Sequence, residues 1–276
     1  MSSTAPARLD SSRPDTSGAM QSDFAIFADF DGTLVALAAR PEDVVMPAGL
    51  PGALAGLEQR VDNAFAIVTG RPIVAVDGFL GRHFAIAGAH GTERRRADGT
   101  LVGPGPDMVE ASDRIFAMVE PLVVAEPRLV LERKLGAVAL HYRQAPELEV
   151  RCRAAMTEAL ALVDGFALVA GKMVFEARPS GVDKGVAIST FMIEPPFAGR
   201  LPVFFGDDTT DEDGFAAVQR LGGLGVKVGE GPTTAQLRVP DLHAVRRFLD
   251  AFGDTGALKS IADVRAFADD LETATP

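Results

Sequence analysis

Short apolar runs alternate with helical patterns along this chain, and that alternation restricts the fold more than any other feature of the sequence. Apolar runs at 24–30, 64–68, 84–87 and 201–205 have the length of strands, and segments with helical spacing separate them. Strands that are apolar on both faces are typical of parallel sheets, because helical connections then cover both faces. The pattern therefore predicts an α/β fold with a parallel sheet.

A helical segment followed by two strand-like runs occurs twice between residues 103 and 181. This order is typical of a small α+β unit with its own antiparallel sheet. The first rhythm returns after this stretch and continues to about residue 255. We therefore predict an α/β core formed by residues 23–102 and 182–255, with an α+β domain inserted at 103–181.

The two ends of the chain differ from this core. Residues 1–22 are polar and lack the apolar centre of a signal peptide, so we expect a disordered leader. Residues 256–276 place apolar side chains at mostly helical spacing, which predicts a helix that packs on the core. An interface with a partner protein is the alternative for that apolar stripe.

Charge and composition exclude several functional classes. The formal net charge of −11 argues against a protein that binds nucleic acid through its phosphates. No apolar run reaches the ~18 residues that a membrane-spanning helix needs. Cys152 is the single cysteine, which prevents an intrachain disulfide and suits a reducing compartment. We expect a cytoplasmic protein with neither nucleic acid nor membrane as a partner.

Polar residues follow the predicted strands or open the helices beside them, which is where open parallel sheets bind ligands. Four segments have this placement: Asp29-Phe30-Asp31-Gly32-Thr33, Thr69-Gly70-Arg71, Asp183-Lys184-Gly185 and Gly206-Asp207-Asp208-Thr209-Thr210-Asp211-Glu212-Asp213. Each segment also has an ordinary structural explanation, since Asp-Gly-Thr is a common turn and acids favour a first helical turn. The helix-cap explanation does not cover Asp207 and Asp208, which precede the cap.

Two pairs of acids at strand ends favour a magnesium site, because this hard cation takes oxygen ligands and few carboxylates. A calcium EF-hand is excluded, because Phe27 would occupy the first ligand position of such a loop. Two acids, a hydroxyl, a lysine and magnesium together fit phosphoryl transfer through an aspartyl phosphate. One acid attacks phosphorus, and the other exchanges a proton with the leaving alcohol and then with water. Gly32 lets the chain turn, so that Asp31 can approach the leaving group while Asp29 stays at the strand end.

The four segments, in this order, resemble the motifs of the haloacid-dehalogenase (HAD) superfamily of phosphatases. The resemblance implies a Rossmann-like HAD core with an inserted α+β cap domain of the C2 type. It implies that Asp29 is the nucleophile and Asp31 the general acid and base, and that phosphate is bound by Thr69, Gly70 and Lys184. The implied cofactor is Mg²⁺, with Asp207, Asp29 and the carbonyl oxygen of Asp31 as implied ligands. The resemblance implies that Asp208 and Asp211 are supporting carboxylates, either as ligands or through water.

Further stretches are similar to trehalose-6-phosphate phosphatases, over roughly residues 22–250. They are Gly88-Ala89-His90-Gly91-Thr92-Glu93, His141-Tyr142-Arg143, Gly171-Lys172-Met173-Val174-Phe175-Glu176-Ala177-Arg178-Pro179 and GDDTTDED. The resemblance implies hydrolysis of trehalose 6-phosphate to trehalose and phosphate, with the substrate bound by His90, Arg143, Lys172, Glu176 and Arg178. In a strand, Lys172 and Glu176 project to one face, where they can meet sugar hydroxyls or form an ion pair on a solvated sheet.

Several alternatives stay open at this point. Another sugar phosphate, such as sucrose phosphate or mannosyl-phosphoglycerate, can be the substrate, and a trehalose-phosphate synthase can be a partner. A non-catalytic sensor would be expected to lose one of the two acids of the first motif, and both are present. His90 either binds substrate or supports the turn at Gly91, and Arg143 either reaches phosphate or is an exposed arginine. We expect Arg94-Arg95-Arg96 to lie on a solvated hairpin.

Overall fold

The structure is a computed structural model that describes residues 23–38, 40, 43–171, 173–252 and 258–273. In chain order the strands are β1 (Phe24–Ala28), β2 (Phe65–Val68), β3 (Ala85–Gly88), β4 (Glu93–Arg95), β5 (Leu101–Val102), β6 (Val130–Lys134), β7 (Ala137–His141), β8 (Phe166–Gly171), β9 (Val174–Pro179), β10 (Leu201–Gly206), β11 (Leu224–Val228) and β12 (Leu237–Val239). The helices are α1 (Leu50–Arg60), α2 (Ile73–Leu80), α3 (Pro106–Ala125), α4 (Glu149–Leu160), α5 (Lys184–Phe191), α6 (Glu212–Arg220), α7 (Leu242–Ala251) and α8 (Ile261–Thr273).

The central sheet has the strand order β12-β11-β10-β1-β2-β3-β4-β5. The strands from β12 to β3 are parallel, and β4 and β5 extend the sheet as antiparallel strands. The predicted α/β class is confirmed, and the four strands named from their apolar runs lie within two residues of their expected bounds. The short strand β12 was not predicted, because three residues are too few to show a periodic pattern.

Helices cover both faces of this sheet, as two neighbouring side chains of β10 demonstrate. The Phe204 ring lies 5.4 Å from that of Phe215 in α6, whereas the Phe205 ring lies 5.3 Å from that of Phe248 in α7. Because consecutive side chains of a strand point to opposite faces, α6 and α7 lie on opposite sides of the sheet. Strand β1 is accordingly buried along its whole length, with no alternation of polar residues.

A second, antiparallel sheet has the strand order β6-β7-β9-β8 and carries α3 and α4 on one face. Its apolar side chains form a separate cluster that includes Ile115, Met156 and Phe175. This sheet is the cap of the fold class expected above. The boundaries of the inserted domain at 103 and 181 stay a prediction.

The C-terminal helix α8 buries Val264, Ala268 and Leu271 in the same apolar cluster as the central sheet. The expected leader, residues 1–22, lies outside the described residues. Within the described part of the chain, no helix combines the length and apolar character that crossing a membrane requires.

The arginine triplet before β5 corrects one expectation. Strands β4 and β5 form the expected hairpin, but Arg94 and Arg95 are buried, and only Arg96 is exposed. Arg94 binds Glu194 through two hydrogen bonds of 2.6 and 2.9 Å, and Arg95 binds Asp77 through two of 2.6 and 2.8 Å. The prediction of a solvated hairpin was wrong, because β4 lies between β3 and β5 and its side chains meet α2 and the end of α5.

Candidate active site

The carboxyl ends of β1, β2 and β10 bring three of the four sequence motifs to one edge of the sheet. Asp29 follows β1 directly, and its amide donates to the Phe205 carbonyl oxygen of β10 at 2.8 Å. Thr69 follows β2, and Asp207 follows β10. The fourth motif joins them through Lys184, the first residue of α5. Residues far apart in the sequence thus meet because parallel strands end at the same edge.

A buried ion-pair triad forms the centre of the site. The Lys184 Nζ lies 2.8 Å from the Asp29 Oδ1 and 2.6 Å from the Asp211 Oδ1. Burial raises the pKa of the Asp29 carboxyl well above its usual range, although the Lys184 ammonium acts in the opposite direction. Burial alone would lower the pKa of Lys184, but Asp29 and Asp211 raise it above its ordinary value. Lys184 is therefore charged, and its charge is shared between two acids.

The loop after β10 is ordered by one carboxylate. Asp211 Oδ2 accepts from the amides of Asp207 and Asp208, both at 2.9 Å. The Asp208 side chain is exposed and accepts from the Thr209 amide at 2.7 Å, so it caps the short 3₁₀ helix Thr209–Asp211. This capping role directs Asp208 away from the acids of the site.

The turn after β1 fits closely against this loop. Gly32 has φ +80°, and a Cβ added there would lie 2.0 Å from Asp207 Oδ2. The neighbouring Thr33 hydroxyl donates to Asp207 Oδ1 at 3.2 Å. Only glycine combines this backbone conformation with such a close approach of another side chain.

Asp29, Asp207 and Asp211 form a carboxylate cluster in which one oxygen of each lies within 4.8 Å of the others. Burial, together with the negative charge of Asp211, raises the pKa of Asp207 to about 6. Three close acids with one lysine leave an excess of negative charge that a divalent cation would offset. Oxygen donors only, and few carboxylates, suit Mg²⁺.

Asp31 is held apart from the cluster by Arg71. Arg71 donates from Nε to Asp31 Oδ2 at 2.6 Å and from Nη2 to Asp31 Oδ1 at 2.8 Å. The Arg71 amide donates to the Thr69 hydroxyl oxygen at 3.1 Å. Thr69 is buried. Because its hydroxyl oxygen accepts from Arg71, its hydroxyl hydrogen can be donated to a ligand at the strand end.

His90 lies beside the site in a left-handed conformation with φ +57°, directly over Gly70. Burial, together with the charges of Lys184, Arg178 and Lys134, lowers its pKa to about 3. Its Nδ1 is buried, and within the described part of the chain it has no hydrogen-bond partner. A neutral imidazole with a free ring nitrogen can serve a ligand as donor or acceptor.

The cap contributes the opposite wall of a cleft of about 220 Å³, with Val169, Ala170 and Arg178 facing His90 and Lys184. Alternate residues of β9 face this side, since Phe175 and Ala177 point into the apolar cluster of the cap. The open face of the cap sheet therefore carries Glu176, whose Oε1 lies 3.1 Å from the Lys134 Nζ. Charged side chains with both donors and acceptors thus line the cap side of the site.

A family model described as Trehalose-phosphatase matches residues 27–241, the range that holds all the acids, lysines and arginines of the site. The chain belongs to the trehalose-phosphatase family. The resemblance noted from the motifs is confirmed, and the chain is a phosphoric monoester hydrolase of the HAD fold.

Three relatives illustrate this membership. The trehalose-6-phosphate phosphatase of Escherichia coli is 42% identical over 224 residues, which cover 79% of this chain and 84% of that protein. The crystal structure of a trehalose-6-phosphate phosphatase related protein is 32% identical, with a TM-score of 0.70, and the match covers 85% of this chain and 99% of that chain. The bifunctional trehalose-6-phosphate synthase/phosphatase of Thermoproteus tenax is 34% identical over 248 residues, which cover 82% of this chain and 33% of that protein.

The residues predicted for this family site fall into three groups. The structure brings together Asp29, Thr69, Gly70, His90, Arg178, Lys184, Asp207 and Asp211, and it places Glu176 beside Lys134 on the open face of the cap sheet. It does not bring the side chains of Asp31 and Asp208 into the carboxylate cluster, and Arg143 is an exposed residue just after β7. Lys172 lies outside the described residues.

Sequence reasoning assigned no role to Arg71 or Lys134. Arg71 was visible as the third residue of Thr69-Gly70-Arg71, but nothing in the sequence says which carboxylate it meets. Lys134 lies two residues after Glu132 on β6, so the two side chains share one face of the strand. The spacing of these two charged residues could have been noticed in the sequence. Only the strand order of the cap sheet shows that their face of β6 is the one turned toward the site.

Proposed function

We propose that this protein is a magnesium-dependent phosphatase that hydrolyses trehalose 6-phosphate to trehalose and phosphate through an aspartyl-phosphate intermediate. The observation that carries the proposal is the Lys184 ammonium between Asp29 and Asp211, beside Asp207 and below the charged face of the cap. Family membership and the named relatives support both the reaction and the substrate.

Asp29 is proposed as the nucleophile. Its carboxylate attacks phosphorus, the bond from phosphorus to the bridging oxygen breaks, and Asp31 gives that oxygen a proton. Water then attacks the phosphorus of the aspartyl phosphate, Asp31 takes its proton, and Asp29 is released as a carboxylate. Lys184 stabilises the ionised form of Asp29, which burial alone would disfavour.

Thr69, Gly70 and Lys184 are proposed to hold the phosphate. The Thr69 hydroxyl can donate to a phosphate oxygen, because its own oxygen already accepts from Arg71. Gly70 leaves room for the His90 ring, which an added Cβ would approach to 2.7 Å, and Lys184 supplies positive charge. Donors fixed in this way stabilise charge on the transferring oxygens without rearrangement.

Asp29, Asp207 and the Asp31 main-chain carbonyl are the groups that would hold Mg²⁺, with Asp211 and, through water, Asp208 as supporting carboxylates. When bound, the ion would offset the repulsion between the nucleophile and the phosphate. The close packing of Gly32 and Thr33 against Asp207 orders one of these carboxylates beforehand.

The cap is proposed to select the sugar. Lys134 and Arg178 can donate to sugar hydroxyls, and Glu176 can accept from them. Lys172 and Arg143 stay in this proposal from the motif resemblance alone. Hydrogen bonds between such charged side chains and sugar hydroxyls discriminate strongly between sugars. A sugar that lacks a matching hydroxyl would leave a buried donor or acceptor of the protein unpaired, which is costly.

The test is phosphate release from trehalose 6-phosphate, sucrose 6-phosphate, mannosyl-phosphoglycerate and glucose 6-phosphate, with magnesium and with a chelator. We expect selective, magnesium-dependent release from trehalose 6-phosphate, and a loss of at least about 10³-fold in Asp29→Asn. Release from a different sugar phosphate would keep the reaction and refute the substrate. Binding without turnover by wild-type protein would instead favour the sensor.

Three wider statements remain proposals: association with a synthase, the domain boundaries and the location in the cell. Association with a trehalose-phosphate synthase is supported by the relative from Thermoproteus tenax, whose name joins both activities in one protein. Sedimentation of this protein mixed with such a synthase tests it, and independent boundaries at micromolar concentrations would refute it. Core boundaries at 23–102 and 182–255, a cap at 103–181 and a cytoplasmic location are likewise proposed from the sequence.

A further inference from the structure

Lys227 is a buried lysine in a strand that is otherwise apolar. Strand β11 is buried along its whole length, and Lys227 is 4% exposed. Within the described part of the chain it forms no ion pair, and its Nζ donates to two carbonyl oxygens, those of Asp207 and Val228. Lysines are almost never fully buried without a charged partner, because burying an ammonium is costly.

The sheet explains how the side chain reaches the site. Lys227 pairs with Gly206 in the parallel register of β10 and β11, so the two residues have the same face. The Asp211 side chain packs directly against that face of Gly206, where an added Cβ would lie 2.4 Å from the Asp211 Cγ. The Lys227 ammonium donates to the carbonyl oxygen of the next residue of this segment, Asp207. The ammonium thus ends at the main chain of a carboxylate-cluster residue.

Asp207 is consequently held at three of its polar groups. Lys227 donates to its carbonyl oxygen, its amide donates to Asp211 Oδ2 at 2.9 Å, and its Oδ1 accepts from Thr33 at 3.2 Å. Three contacts from three different strand ends fix both the main chain and the carboxylate. Lys227 supplies the contact that comes from the β11 side.

The loop after β11 is tied to the same region. Glu212, the first residue of α6, accepts from the Thr233 hydroxyl at 2.7 Å and from the Thr234 amide at 2.7 Å. Strand β11 therefore contacts the start of the acidic segment at Asp207, and the loop after β11 contacts its end at Glu212. A methionine would fill the space of Lys227 without a buried charge, so packing alone does not account for a lysine.

We propose that Lys227 is a positioning residue for the metal site, which holds the Asp207 main chain so that its carboxylate faces Asp29 and Asp211. The inference rests on the proposed magnesium site. Residues one contact removed from a metal ligand typically change metal affinity by 10- to 100-fold when they are replaced. The positive charge of Lys227 has the opposite effect, because it repels a cation.

Two substitutions separate the hydrogen bond from the charge. Lys227→Met removes both, whereas Lys227→Gln removes the charge and keeps an amide donor. We expect Lys227→Met to raise the Mg²⁺ dissociation constant by about tenfold or more. Lys227→Gln should bind Mg²⁺ at least as tightly as the wild type. The measurement is titration calorimetry of the whole protein with MgCl₂, with no substrate present.

Arg200→Met is the matched control. Arg200 is also buried and donates to main-chain carbonyls, those of Phe24, Val61 and Pro196, but at the opposite end of the sheet. We expect this variant to lower the melting temperature and leave the Mg²⁺ dissociation constant unchanged.

Tight magnesium binding by Lys227→Met, equal to or better than that of the wild type, would overturn the inference while leaving the proposed function intact. Failure of the wild type to bind magnesium at all would overturn both. Should Lys227→Met not fold, Lys227→Gln decides by the same titration: magnesium binding at least as tight as that of the wild type supports the positioning role, and weaker binding overturns it.

Discussion

Arg71 binds both carboxylate oxygens of Asp31, and its guanidinium lies 5.9 Å and 5.2 Å from the ring centres of Phe30 and Phe79. The proposed general acid is thus positioned by a residue from the end of another strand. A planar guanidinium with two parallel hydrogen bonds fixes the orientation of the carboxylate, which a single lysine would not do.

Replacing Arg71 by methionine should therefore weaken proton transfer more than phosphate binding. We expect kcat/KM for phenyl phosphate to fall by about 10²-fold, because this poor leaving group depends on the general acid. The loss for 4-nitrophenyl phosphate should be less than about tenfold, because nitrophenolate leaves readily without a proton. Arg82→Met is the control, since Arg82 also contacts a ring and a carboxylate, Phe84 and Glu58, at the surface. Equal losses on both esters would contradict this role.

Gly32→Ala should disturb Asp207 as well as the backbone. Gly99 has a similar φ of +87° but has open space around it, so Gly99→Ala measures the backbone cost alone, about 1 kcal/mol. We expect Gly32→Ala to lower stability by at least about 2 kcal/mol more, because its Cβ would overlap the Asp207 carboxylate. Urea unfolding of both variants gives the difference, and magnesium titration should show weaker binding only for Gly32→Ala. Two variants of equal stability and equal magnesium affinity would refute the close approach.

His90 predicts a pH dependence of stability. Its pKa is about 3 in the folded protein against an ordinary value of 6.5, so the unfolded state binds more protons between these values. The free energy of unfolding of the wild type should therefore decrease relative to that of His90→Asn as the pH drops below 6.5. The expected difference at pH 5 is about 2 kcal/mol. Asparagine tolerates the left-handed conformation at this position. Thermal unfolding of both proteins in a chelator, from pH 8 to 5, measures the difference.

His243→Asn serves as the control for that series, because His243 is exposed on α7. Its stability curve should run parallel to that of the wild type. A His90→Asn curve that also runs parallel would mean that His90 is not buried in its neutral form.

Glu176→Gln should change the choice of sugar and leave the chemistry intact. Losing a charged hydrogen bond costs about 1.5–3 kcal/mol, so kcat/KM for trehalose 6-phosphate should fall by about 10- to 100-fold. Turnover of 4-nitrophenyl phosphate should be unchanged, since this ester does not reach the cap face. Asp113→Asn removes an exposed acid on α3, on the far side of the cap sheet, and should affect neither substrate. A parallel loss on both substrates in Glu176→Gln would count against a sugar contact.

The fold could be predicted from the apolar runs of the buried strands, and the site from the polar residues that follow those strands. Phe24 to Ala28 form a continuous apolar run because both faces of β1 are covered, and a run of this kind is visible without coordinates. Asp29 and Asp207 were predicted together because parallel strands end at one edge. The meeting of Lys184 with Asp211 was not foreseeable, since it depends on how α5 packs against the loop after β10.

The wrong predictions have a common physical cause. The sequence shows where a charged side chain is, but it does not show which distant residue that side chain binds. Arg94 and Arg95 were expected in solvent, yet each is paired with an acid and buried, because the strand order places β4 inside the sheet. Asp208 was expected to precede the helix cap, but its own side chain is the cap, because it accepts from the Thr209 amide. Lys227 carried a usable signal, because a lysine inside an apolar parallel strand needs a polar partner nearby.

The strands of the cap sheet all lie between Val130 and Pro179, in one uninterrupted stretch of chain, whereas the reagents of the core are spread over segments before and after it. The cap side chains proposed to contact the sugar, Lys134, Glu176 and Arg178, lie inside that stretch, and the proposed reacting groups lie outside it. Exchange of this one segment for that of a relative would therefore replace the proposed sugar contacts and leave the proposed reacting groups unchanged.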